Sequence, residues 1–109
     1  MATTYKVLGQ VNPSATTATT LYTVPSSTST VVSTITVCNQ ASSAATFRIA
    51  VRPAGAALAA EHYIVYGATV PASNTTTLTL GLTLATTDVV TVYASSANLS
   101  FNAFGSEIA

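Results

Sequence analysis

Tryptophan is absent from this 109-residue chain, cysteine and histidine occur once each, and only 6% of the residues are Asp, Glu, Lys or Arg. Soluble domains usually carry roughly a quarter charged residues, so charge is the deepest of these deficits. Three basic residues cannot neutralise a run of phosphates, which excludes nucleic acid as a partner. A lone Cys38 excludes an intramolecular disulfide and suits a chain made in a reducing cytoplasm. No stretch approaches the roughly 20 apolar residues of a membrane helix. The small apolar run Ala54 to Ala60 is Ala/Gly-rich and far too short, so no membrane partner is expected. Met1 to Lys6 lacks a basic segment followed by an apolar core, so no secretory signal is expected either.

The same shortage limits chemistry. The titratable inventory is Glu61, Asp88, Glu107, Lys6, Arg48, Arg52, His62, Cys38 and the tyrosines, and an active site needs such groups brought together. No Gly-x-Ser-x-Gly nominates a serine. Cys38 lies in a Val/Thr strand, where a buried apolar thiol is expected rather than a nucleophile served by His62. Glu61 and His62 are adjacent, and neighbours on a strand point to opposite faces, so they cannot chelate one metal together. There is no Gly-rich phosphate loop. The expectation is a protein that is not an enzyme, with no catalytic residue, no metal site and no cofactor.

What the chain has in abundance is Thr and Val, whose β-branched side chains fit a pleated sheet and crowd a helix. Strands are expected at Tyr5 to Gln10, Thr20 to Val24, Thr30 to Asn39, Ala45 to Arg52, His62 to Tyr66, Thr75 to Leu80, Val89 to Ala94 and Leu99 to Glu107, separated by Pro, Gly, Asn and Ser. In the third, Val31, Ser33, Ile35 and Val37 share one face, and Val32, Thr34, Thr36 and Cys38 the other. In the fourth, Phe47, Ile49 and Val51 face in while Arg48 and Arg52 face out. Leu78, Leu80, Leu82 and Leu84 keep period two across Gly81, which predicts a bend or bulge there rather than a break. Ala54 to Ala60 reads as a loop or a single helical turn. Val24-Pro25-Ser26-Ser27 and Val70-Pro71-Ala72-Ser73 read as two similar turns. One domain spanning residues 1–109 follows, an all-β antiparallel sandwich of seven to eight short strands, jelly-roll-like or immunoglobulin-like.

A neutral surface with so little charge gives weak colloidal repulsion, and neighbours are expected to cover much of it. The plainer alternative is a coat of Thr and Ser hydroxyls. Arg48 and Arg52, i and i+4 on one strand face, are candidates for pairing with carboxylates of a neighbour. His62, Tyr63 and Tyr66 join aromatic area to hydrogen-bonding tips, the chemistry favoured at contact surfaces.

The segments Leu21 to Pro25 (LYTVP), Val31 to Asn39 (VVSTITVCN), Phe47 to Leu58 (FRIAVRPAGAAL), His62 to Tyr66 (HYIVY) and Asp88 to Ile108 (DVVTVYASSANLSFNAFGSEI) together resemble small β-sandwich virion proteins of tailed bacteriophages, especially viruses of aquatic bacteria and cyanobacteria. The resemblance covers nearly the whole chain through framework residues, with no catalytic motif. It implies a non-enzymatic structural protein of the virus particle, made in the host cytoplasm and packed in repeated copies against other virion proteins. The places it implies are the tail, the baseplate or fibre, or the capsid surface as a decoration protein. The competing reading of the residues is a receptor- or glycan-binding module that acts through Tyr22, Tyr63, Tyr66 or Tyr93.

Overall fold

A computed structural model describes residues 2–109. Its strands are β1 (Thr3–Val11), β2 (Thr19–Thr23), β3 (Ser29–Asn39), β4 (Ala45–Arg52), β5 (Tyr63–Val70), β6 (Thr75–Leu84), β7 (Val89–Ala94) and β8 (Leu99–Ile108). Among the described residues there is no α-helix. Two 3-10 turns, Pro53–Gly55 and Ala60–His62, bracket the excursion between β4 and β5. His62 therefore closes a turn, and the strand expected to begin there starts at Tyr63. β6 runs on through Gly81 to Leu84, keeping alternate residues turned inward along its whole length.

Two four-stranded sheets form, ordered β1-β8-β3-β6 and β2-β7-β4-β5. Every pairing is antiparallel, with β1 on β8, β2 on β7, β3 on β6 and β4 on β5. The chain is thus one long antiparallel ribbon whose turn is the Pro53–His62 excursion, rolled so that successive strand pairs fall in opposite sheets. That is the jelly-roll arrangement of a β-sandwich. The two Val-Pro corners each carry the chain from the second sheet to the first, with Ser27 at φ 53° and Ser73 at φ 52°.

The core lies between the sheets. Val32, Ile35, Val37, Phe47, Ile49, Val70, Val90, Val92, Leu99 and Phe101 are completely buried, and Phe47 meets Phe101 edge to face with centroids 6.1 Å apart. Phe47 and Ile49 face inward as alternation predicts, and Val51 lies half-buried at the margin of the core. The expected facing of β3 needs correction. Val32 is inside, while Val31, expected beside Ile35 and Val37, is half-buried on the outer face. The register with β8 shifts between Val32 and Thr34. Ser33 is the extra residue of that bulge, and one extra residue turns all that follows to the opposite face. Cys38 alternates with the buried Val37 and so lies outside, half-buried opposite Thr75, and not in the core as expected.

Candidate functional site

The second sheet presents β2, β7, β4 and β5 with β5 at its edge, and the residues singled out as contact candidates gather there. Register sets Arg48 of β4 directly between Tyr66 of β5 and Tyr93 of β7. Its guanidinium carbon lies 4.2 Å from the centroid of each ring, a doubled cation–π contact. Tyr63 completes the cluster, edge-on to Tyr66 with centroids 5.0 Å apart. Arg48 makes no hydrogen bond or ion pair among the described residues, and none of its nitrogens is both buried and unpartnered. Its donors are held in place by stacking yet open to water.

Arg52 behaves differently. Its Nε donates to Thr91 Oγ1 at 3.0 Å and its Nη1 to the Ala56 carbonyl at 3.0 Å, so its donors tie down the start of the excursion. Asp88 secures the same corner, accepting the Ala54 and Ala85 backbone N–H groups at 2.8 Å each. At the other end of the excursion, His62 Nδ1 accepts the Ala59 N–H at 3.1 Å. The loop that sequence left irregular is therefore pinned at both ends. It forms one wall of an open groove of about 610 Å³ lined by Leu58, Ala59, Ala60, Tyr63 and Tyr66.

Two exposed apolar residues of this region were not singled out as site residues. Leu58, 39% exposed, lines the groove with a Tyr66 that is 66% exposed, and Ile64, 43% exposed, stands two residues before Tyr66 on β5. Ile64 carries a signal visible in hindsight: as an isoleucine in the run Tyr63-Ile64-Val65-Tyr66 it cannot face the core together with Val65, and alternation leaves it outside. The sequence held no sign that Leu58 would line a groove with Tyr66. Cys38, on the outer face of the first sheet, and His62, beside the second, lie on opposite sides of the sandwich and form no pair. Among the described residues no three His, Cys, Asp or Glu side chains come together.

A second polar cluster sits at one end of the sandwich. Tyr22, buried between the sheets, donates its hydroxyl to Glu107 Oε2 at 2.5 Å and lies 2.8 Å from Thr30 Oγ1. Lys6 Nζ donates to Glu107 Oε1 at 3.2 Å. Burial, reinforced by the Glu107 carboxylate, pushes the Tyr22 phenol up to about 12. The Tyr22 hydroxyl, then the Lys6 ammonium, hold Glu107 below its ordinary carboxylate value. The members satisfy one another, which marks a structural network and not a ligand site.

Side chains that point out from the first sheet carry no charge. Thr34, Thr36, Thr77 and Thr79 face one another across β3 and β6, and Tyr5, Val7, Val31 and Phe104 form an apolar stripe across β1, β8 and β3. The molecule thus presents one hydroxyl-rich neutral face and one face with an aromatic, arginine-bearing groove. No protein family matches the chain, and comparison with curated proteins finds no significant match.

Proposed function

We propose that this jelly-roll domain is a non-enzymatic structural component of a tailed-phage particle, packed in repeated copies against other virion proteins in the tail, baseplate or fibre, or on the capsid. The observation that supports it most is the uncharged outer face of the first sheet. Four strands there expose Thr, Ser and an apolar stripe with Tyr5 84% and Val7 46% exposed, and no like-charge repulsion keeps such a face apart from other chains. The jelly roll is also an architecture of viral capsid domains, an analogy of fold alone. Arg48, with donors fixed and unspent, is the contact residue of first choice in this reading. His62 and Arg52 act by holding the excursion in shape. Mass spectrometry of purified particles provides the test: the chain is expected at a constant multiple copy number, and Arg48→Ala is expected to lower it without unfolding the isolated domain. Particles that lack the chain altogether would refute the proposal.

The groove favours a second reading, a glycan-binding module. Tyr63, Tyr66 and the unpaired guanidinium of Arg48 offer an apolar platform beside hydrogen-bond donors. Binding of the isolated domain on a glycan array, abolished by Tyr66→Ala, would carry this reading over the first.

A further inference from the structure

The six charged residues of the chain divide into spent and unspent. Lys6 and Glu107 hold each other, Asp88 accepts two backbone N–H groups, and Arg52 donates to Thr91 and Ala56. That leaves one cation, Arg48, and one anion, Glu61, neither with an ion-pair or side-chain hydrogen-bond partner among the described residues. Each adjoins a residue that lines the groove, though neither lines it itself. Arg48 is fixed against Tyr66, and Glu61 is exposed on the Ala60–His62 turn, next in sequence to the lining residue Ala60. They do not reach each other within the chain: the two rings clamp Arg48, and the His62–Ala59 bond holds the turn. The groove itself exposes Leu58 and Tyr66, and Ile64 stands two residues before Tyr66 on β5; these are three of the five most exposed large apolar side chains.

We infer that this surface is a two-fold contact with a second copy of the same chain. In a two-fold contact the same patch serves both partners, so a residue that meets another is met by it in return. Arg48 of each copy then pairs with Glu61 of the other, giving two symmetric ion pairs around a centre of Tyr66, Ile64 and Leu58. The pattern is that of a stable interface, with an apolar and aromatic centre, arginine anchors, and charge complementarity that sets the register. A domain of zero net charge meets no long-range repulsion from its copy. The inference names a neighbour for the proposed structural role, but it concerns the purified chain alone. It therefore stands or falls separately from any test on particles.

Charge reversal provides the test. Sedimentation velocity of the purified domain over a range of concentrations is expected to show a reversible dimer that weakens as salt is raised. Glu61→Arg, on an exposed turn, and Arg48→Glu are each expected to weaken dimerisation by about ten-fold or more, because each sets like charges opposite one another. An equimolar mixture of the two variants is expected to associate again as a heterodimer, since each then supplies what the other lacks at both pairs. A coupling within one chain cannot produce that result. If Arg48→Glu does not fold, Ile64→Lys takes its place and is expected to disperse the dimer by putting a charge at its centre. A parent chain that remains monomeric at every concentration would overturn the inference. So would single variants that dimerise like the parent, or a mixture of folded variants that does not associate.

Discussion

At Gly105 two irregularities of the first sheet press on one backbone position. β8 passes there between the bulge of β1, where register shifts between Val7 and Gly9, and the bulge of β3 at Ser33. A Cβ at Gly105 would run into the Val31 carbonyl oxygen and lie 3.1 Å from the Leu8 side chain, whereas one at Gly81 would meet nothing within 4 Å. The two glycines are expected to respond with opposite sign. Gly105→Ala forces backbone apart and should cost about 1–3 kcal/mol, and Gly81→Ala removes chain entropy from the unfolded state and should gain up to about 1 kcal/mol. Urea melts of the two variants compare them directly. Tyr22 and Glu107 set the pH limits of stability. The Glu107 carboxyl is lowered in the fold, so its contribution is complete above the unfolded value and is lost as acid carries the pH down through the folded one. The Tyr22 phenol is raised to about 12, so its contribution is complete below its unfolded value and is lost as pH climbs toward 12. Tyr22→Phe is expected to flatten the alkaline loss and to make the acid loss shallower, read as melting temperature against pH.

β3 shows how one residue governs an element. Uninterrupted alternation would put Val31 inside and Val32 outside, and the bulge at Ser33 reverses this for the first part of the strand while leaving Ile35 and Val37 inside. Val31→Thr and Val32→Thr, identical in chemistry, therefore separate the two registers. The first adds a hydroxyl on a half-open face and should change stability by no more than about 0.5 kcal/mol. The second buries a hydroxyl at a fully enclosed position and should cost about 1–3 kcal/mol. Equal losses at the two positions, measured by chemical denaturation, would mean that β3 is straight. The excursion between β4 and β5 is the other element with outsized influence: Arg52, Asp88 and His62 hold it in place, and it supplies one wall of the groove.

For the molecule as a whole, the rolled ribbon makes the first strand pair with the last, Thr3 opposite Ile108 and Val11 opposite Phe101. Nearly all stabilising contacts thus join distant parts of the sequence, and loop-closure entropy is lost before those contacts form. Folding is expected on a millisecond-to-second timescale, as single-exponential refolding in stopped-flow fluorescence of the tyrosines. The centre of the roll is the Phe47–Phe101 contact that joins the two sheets. Phe47→Ala is expected to cost about 3–5 kcal/mol, a large share of a small domain's total. A variant melting within a degree or two of the parent would place Phe47 outside the core.

By itself the sequence determined the class of fold and the place of every strand, because β-branched composition, period-two alternation and Pro/Gly/Ser punctuation act within a few residues along the chain. It determined the inward facing of Phe47 and Ile49 and the outward facing of Arg48 for the same reason. It also marked Arg48, Tyr63 and Tyr66 as surface residues with contact chemistry. Tertiary structure alone decided the strand order, since pairing β1 with β8 depends on contacts between the two ends of the chain that leave no local trace. It decided the faces of Val31 and Val32, because a bulge is set by the neighbouring strand and not by Ser33. It also separated two arginines that alternation made equivalent. Arg48 lies between rings brought from β5 and β7, whereas Arg52 reaches the turn beyond its own strand, and only the packing of those three elements could tell the free donor from the spent one.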